Sequence, residues 1–413
     1  MANLFKMAVA QLDEAAGLLG LDSATHELLR RPRREFHFTL SARMDDGSHA
    51  VFPGFRVQYN DSRGPACGGI RFHPNETTDK ARARAAWITW KAALMGLPLS
   101  GAFGGVACNA ERLSARELEN VTRAYIRAIS FFTDQNIDVI TSDIYDPPEV
   151  EVWMSDERSA LDNRTPTRPF SIRSNKADDS VLSEDVPAKG GIFCVREAAK
   201  YLGMELKEAR TAVHGFDAYG AATARLSVEH FGLRVIGVSD GESGIFNPKG
   251  LDVGNLVEHK RRTGTIVDFP GADNVPVEKL IETECEVLWV TDGEPAINAE
   301  NAERINARII AEAADGAATP EADIILHNRG VFVIPDIICN VGGLILSYFN
   351  LVRGSNGNHR TLEMVTMRLD DRITKAFHKV LEERNARNIH MRLASYLIAI
   401  GQVVDAMKRR GWC

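Results

Sequence analysis

Beyond residue 189 the chain alternates short apolar runs with helical segments, and this pattern constrains the fold more than any other feature. Residues 211–216 (TAVHGF) read as a strand, 218–232 as a helix and 233–240 (LRVIGVSD) as a second strand. CEVLWVT at 285–291 and RIIAEAA at 308–314 read as further strands. Strands separated by helices pair in parallel through right-handed crossovers, so this half predicts a doubly wound α/β sheet. Its first strand ends at Gly215, a helix opens near Gly220, and Asp240 follows 20 residues later at the next strand end. Such an acid holds the ribose hydroxyls of a dinucleotide. The loop reads Gly215-Phe216-Asp217-Ala218-Tyr219-Gly220, with an aspartate where G-x-G-x-x-G has its middle glycine. That glycine lets the backbone approach a pyrophosphate at the helix N-terminus, and a carboxylate there fills the space and repels phosphate. A βαβ unit that binds no nucleotide is the competing reading.

The amino-terminal half follows another pattern. Residues 4–19 carry helical periodicity, with Phe5, Val9, Leu12 and Ala16 on one face. Phe36, Phe38 and Leu40 alternate before Asp45-Asp46-Gly47, and Val51, Phe55 and Val57 follow, which predicts a β-hairpin. Helical periodicity returns at 76–95 and 114–133, and the polar stretch 151–187 reads as a connection. The last segment reads as helices at about 344–353, 360–384 and 390–410. Glycines crowd around Lys91, Ser100–Gly105 and Asp143, which suggests a cleft for a small anionic ligand.

Composition removes several classes of function. Lys and Arg total 49 against 56 Asp and Glu, a net charge of −7, whereas a nucleic-acid binder needs a basic face. Arg30, Arg31, Arg33 and Arg34 read as a solvated or subunit-contact edge rather than a nucleic-acid patch. No apolar run reaches the roughly 18 residues of a membrane span, and the first residues lack a secretory pattern, so a cytoplasmic place is expected. The six cysteines lie more than four residues apart and the histidines form no HExxH pair, so no metal site is expected.

Seven motifs occur in order: GGIRFHP, TWKxAL, LPxxGAxGG, VSDxxxGIxNPxGLD, TPEAD, CNxGGxxxSYF and NIHMRxAxY. Together they resemble the glutamate dehydrogenase family of Glu, Leu, Phe and Val amino-acid dehydrogenases, most of all the archaeal and bacterial glutamate dehydrogenases. The resemblance runs along essentially the whole chain. It implies a two-domain α/β architecture, with a substrate and assembly domain and a Rossmann-like doubly wound nucleotide domain. The expected boundaries are 1–187 for substrate binding and oligomerisation, 188–340 for the NAD(P)-type domain, and 341–413 for helices returning across the hinge.

Position by position, the resemblance implies that Asp143 is the proton-transfer aspartate, Lys91 the α-carboxylate lysine and Ser347 a substrate-contacting serine. Gly68, Gly69 and Arg71 belong to the substrate-binding stretch. Family members carry a lysine for the substrate side-chain carboxylate where this chain has Cys67, and a catalytic lysine where it has Phe103. The family's Arg and Thr before the nucleotide domain fall at Ser183 and Pro187, and its PAA segment at Val290-Thr291-Asp292. Two family asparagines have become Ala218 and Asp315. The resemblance assigns NAD or NADP to Gly215, Asp217, Gly220, Asp240 and Asp315, with Asp217 and Asp315 adding negative charge against an anionic cofactor.

Without the lysine at 103, Asp143 has no cationic partner and the electrostatic stabilisation of the reaction is missing. The leading expectation is a catalytically inactive homologue that acts as a regulatory or structural subunit and senses an amino acid. It would form a homo-oligomer, a hexamer by resemblance, or a hetero-oligomer with an active paralogue. The alternative is an active NAD(P)-dependent dehydrogenase that deaminates glutamate or an apolar amino acid. A third reading makes Cys67 a nucleophile, although no histidine stands near it in sequence to activate it.

Overall fold

The computed structural model describes residues 3–133, 137–141, 148–162, 185–241, 243–293, 295–356 and 361–413. The chain forms two compact units, one of residues 1–182, 347–361 and 397–413, the other of residues 183–346 and 362–396. The helical carboxy-terminal segment thus contributes to both.

The first unit opens with α1 (Leu4–Leu19) and α2 (Ser23–Arg30), then strands β1 (Arg34–Arg43), β2 (His49–Gln58), β3 (Ala66–Gly68) and β4 (Ile70–Phe72). Next come α3 (Thr78–Leu94), β5 (Ser100–Val106), α4 (Ala115–Ile129), β6 (Asp138–Ile140) and α5 (Pro148–Asp162). The strands make one sheet in the order β1-β2-β5-β3-β6, with β4 also pairing β5. The expected hairpin is β1–β2: the two pair antiparallel from Arg34↔Gln58 to Arg43↔His49, and Gly47 turns the chain at φ 85°. Leu40 and Ala42 point into a core with Ile70, Val106, Tyr125 and Ile140, while their alternate neighbours face outward. A reciprocal cap between Ser114 and Glu117 starts α4.

One segment departs from the sequence reading. The stretch 151–187 contains helix rather than only a connection, because α5 runs to Asp162 and a sixth helix begins at Asp185. Polar composition hid this: Val150 and Met154 are buried, but much of the rest of α5 works through ion pairs, such as Glu157 with Arg127 at 2.6 Å.

The second unit begins with α6 (Asp185–Leu202), β7 (Arg210–His214), α7 (Ala218–Phe231), β8 (Arg234–Asp240) and β9 (Ser243–Phe246). It continues through α8 (Val253–Thr263), β10 (Asp273–Pro276), α9 (Val277–Ile281), β11 (Cys285–Val290) and β12 (Ala307–Glu312). Then follow α10 (Pro320–Asn328), β13 (Phe332–Ile334), α11 (Asp336–Cys339), α12 (Gly342–Asn356), α13 (Leu362–Arg387) and α14 (Met391–Arg409), the last part of α12 and of α14 counting with the first unit. Seven strands order as β10-β9-β8-β7-β11-β12-β13, with β8, β7, β11, β12 and β13 parallel. The order reverses between β7 and β11. In open α/β sheets the ligand crevice lies outside the strand carboxyl ends at such a reversal, which here are Gly215–Gly220 and Thr291–Gly293. Leu288, Val290, Ile310 and Ala212 belong to the apolar core of the sheet.

Candidate functional site

In the first unit, β3, β4 and β5 bring together Cys67, Gly68, Gly69, Arg71 and Phe103. Cys67 pairs with Gly101 of β5 and Val139 of β6. Burial pushes its thiol up to about 12, with Asp138 adding to the shift and Arg56 opposing it, so the sulfur is a neutral thiol at pH 7. Gly68 must be glycine, since a Cβ there would stand 1.6 Å from the Ala102 carbonyl oxygen. Arg71 pairs with Gly105 and is half-buried. Lys91 is buried on α3, whose Thr89 hydroxyl accepts the Gly101 N–H at 3.0 Å and so ties the helix to β5.

Phe103 pairs with Val57 and is 6% exposed. The Arg84 guanidinium carbon lies 4.9 Å from its ring centre, and Arg84 in turn pairs with the buried Glu76 carboxylate at 2.8 Å. The cation at this point of the unit is therefore a guanidinium engaged by an aromatic ring and a carboxylate. Position 103 itself offers no proton and no charge. Ser347 is placed half-buried on α12. Asp143 and Ser183 lie outside the described residues, and Pro187 falls in the first turn of α6.

Sequence reasoning missed the group that holds the glycine stretch. Arg56 is fully buried on β2 and meets Asp138 of β6 through two bonds, Nε–Oδ2 at 2.9 Å and Nη2–Oδ1 at 2.6 Å. The same guanidinium donates to the Gly69 carbonyl at 2.7 Å and the Gly68 carbonyl at 3.2 Å. Gln58 donates a further bond to Asp138 at 3.0 Å. A fixed fork with five donors suits this role, and lysine could not fill it. The arginine-rich edge is locally neutralised: Arg31 pairs with Glu27, and Arg33 and Arg34 share Asp61.

In the second unit the crevice residues are in place. Gly220 packs so tightly that a Cβ would stand 2.0 Å from the Gly215 carbonyl oxygen. Thr291 fixes the loop from β11, its hydroxyl donating to the Gly215 carbonyl at 2.6 Å. Asp217 is the N-cap of α7, and its Oδ1 accepts the Gly220 N–H at 2.8 Å. An anion thus already occupies the start of α7. Asp240 is engaged by Lys260 of α8 at 2.6 Å, and the same ammonium donates to the Phe216 carbonyl at 2.6 Å. Asp315 accepts a bond from Asn340 at 2.8 Å. A dinucleotide does not fit these residues as they stand, because its pyrophosphate would meet the Asp217 carboxylate at the helix start.

A second buried group, also unforeseen, gathers at the end of β12 and the start of α11. Arg392 meets Glu312, Asp323 and Asp336, each at 2.6 Å, with all four side chains almost wholly buried. One cation among three carboxylates leaves excess negative charge, and burial pushes Glu312 up to about 8. Among the described residues no group of three or more His, Cys, Asp or Glu could hold a metal ion, and no helix is long and apolar enough to cross a membrane.

The architecture and the motif-bearing strands define a two-unit α/β protein with a Rossmann-like second unit. The profile of the Glu/Leu/Phe/Val dehydrogenase dimerisation domain matches residues 32–160, and that of Glutamate/Leucine/Phenylalanine/Valine dehydrogenase matches residues 180–411. The chain belongs to this family. It is 38% identical to a glutamate dehydrogenase of Thermotoga maritima over 409 residues, 99% of this chain and 98% of that protein. It is 35% identical to a cryptic catabolic NAD-specific glutamate dehydrogenase of Bacillus subtilis, covering 99% and 96% of the two chains. Among solved structures it resembles a hetero-hexameric glutamate dehydrogenase of Thermus thermophilus in a leucine-bound form. That match has a TM-score of 0.93 and 30% identity over 99% of this chain and 97% of that one.

Proposed function

We propose that this chain is a glutamate-dehydrogenase-family subunit without dehydrogenase activity, which binds an apolar amino acid and acts as a regulatory or structural member of an oligomer. The observation that carries this reading is Phe103, buried beside Arg84 where the family resemblance puts the catalytic lysine. Oxidative deamination builds charge at the substrate carbon, and a fixed group aimed at developing charge is usually the largest single contribution to rate. A phenyl ring supplies none. Cys67, at the second lysine position, is a neutral thiol.

The same changes argue for the ligand. Lys91, Arg71 and Ser347 suit an α-carboxylate, while Phe103 and Cys67 make the side-chain end apolar. Leucine then fits better than glutamate, whose second carboxylate would lack the family's lysine at position 67, while the nearby Arg84 is already paired with Glu76. The leucine-bound, hetero-hexameric relative from Thermus thermophilus supports both the ligand class and assembly with related subunits. The terminal strand β1 supports assembly too, since long sheet edges are usually covered and related subunits usually close into rings. NAD or NADP binds, on this reading, more weakly than about 1 mM, because Asp217 meets the pyrophosphate. A cytoplasmic place belongs to the same reading.

A thermal-shift screen together with sedimentation tests it. Leucine should raise the melting temperature more than glutamate does, and the protein should sediment as a hexamer or join an active paralogue in one. A larger shift with glutamate would remove the pocket assignment, and a monomer that binds no paralogue would remove the assembly.

A further inference from the structure

The nucleotide-type unit carries an arrangement of charges that loss of catalysis does not by itself require. Two polar anchors fix a dinucleotide on a βαβ unit. N–H groups at the helix start hold the pyrophosphate, and an acid at the end of the second strand holds the ribose hydroxyls. Both anchors are met here by side chains of the chain itself. The Asp217 carboxylate accepts the Gly220 N–H at 2.8 Å, an anion at the start of α7. The Lys260 ammonium donates to Asp240 at 2.6 Å and to the Phe216 carbonyl at 2.6 Å, so one cation bridges the strand-end acid and the glycine loop.

Each group has the chemistry of the one it replaces. A carboxylate stands for a phosphate, and an ammonium supplies the donors of a ribose diol. We infer that Asp217 and Lys260 are a built-in surrogate for the polar anchors of the cofactor, holding loop 215–220 in its ligand-binding form with no nucleotide present. The inference rests on the reading above, that this unit no longer uses NAD(P). It goes further by assigning Lys260 a role and by explaining how an unused crevice keeps its shape. An aspartate cap and a half-exposed ion pair are each common, and a pair of that exposure contributes little by itself. The second acceptor of Lys260, the carbonyl of the loop, is what an ordinary surface pair has no need of.

The surrogate differs from mere stabilisation in how its removal responds to nucleotide. Asp217→Gly, Lys260→Ala and the double variant are melted with and without about 1 mM NADH, since a ligand that binds only the folded state raises its melting temperature. The wild type should show no shift. The double variant should melt lower, and NADH should restore it, with apparent affinity at least about tenfold above wild type. In the Asp217→Gly background, which clears the pyrophosphate position, Lys260 and Lys260→Arg should give the same partial NADH response, because both keep a bridging donor, and Lys260→Ala a larger one. Glycine is tolerated at a helix cap at a cost of a few tenths of a kcal/mol relative to aspartate, so Asp217→Gly folds and carries the comparison if the double variant does not. A double variant that loses stability but ignores NADH overturns the surrogate and leaves the cofactor-free reading standing. A wild-type shift with NADH overturns that reading itself.

Discussion

Asp138→Asn tests the buried bond network under the glycine stretch. The change leaves the Arg56 guanidinium, fully buried, without its anionic partner. Arginine does not shed its proton, so the charge stays and must be borne unpaired. Removing one partner of a buried ion pair costs about 3–5 kcal/mol. For a unit of this size about 1 kcal/mol moves the midpoint by about 2–4 °C, so the first unit should melt roughly 6–20 °C lower. Arg56→Met with Asp138→Met removes both charges and should recover part of the loss. Recovery stays incomplete because the Gly68 and Gly69 carbonyls each lose a donor, at about 1 kcal/mol or somewhat more apiece. Calorimetry on the three proteins reads this directly, with the two units followed as separate transitions if they separate. A midpoint within about 2 °C of wild type for Asp138→Asn, or a double variant that melts no higher than Asp138→Asn, would refute the argument.

Three further outcomes follow from the same geometry. Cys413 is exposed and the other five cysteines are buried, so a thiol reagent at pH 8 should label one site quickly and Cys67 only after unfolding; fast labelling that survives Cys413→Ser would reopen the nucleophile reading. Glu312 has its pKa raised from 4.5 to about 8 in the folded state, so its contribution is full below 4.5 and is lost as pH rises through about 8. Glu312→Gln should therefore flatten the fall in stability across that window, and an unchanged slope would contradict the assignment. Phe103→Lys alone should produce no glutamate-dependent reduction of NAD(P)+, because Cys67 and Asp217 remain; a rate clearly above the wild-type blank would show that one side chain is the whole defect.

The sequence made the fold readable wherever one face of an element is buried. The alternation of Phe36, Phe38 and Leu40 and the Asp-Gly turn placed the β1–β2 hairpin, and the strand–helix alternation after residue 189 placed the parallel sheet. Asp217 was legible as a misfit in a glycine loop, and the structure adds that it caps the helix it opens. What stayed hidden are partners far apart in the chain. Arg56 and Asp138 lie 82 residues apart and Arg392 and Glu312 80 apart, and no local pattern joins them. A charged residue inside an apolar stretch was the available signal, since Arg56 interrupts the buried end of β2. Lys260 was concealed in the run Lys260-Arg261-Arg262, which reads as a solvated helix end. Helix α5 was missed because ion pairs do much of the work of its surface.

On the reading proposed above, the chain keeps the family fold without its dehydrogenase chemistry. The purified wild-type chain, mixed with 2-oxoglutarate, ammonium and either NADH or NADPH, tests it most directly. No reduced nucleotide should be lost beyond the blank without 2-oxoglutarate; turnover in the ordinary enzymatic range, about 1 per second or faster, would contradict the proposed reading.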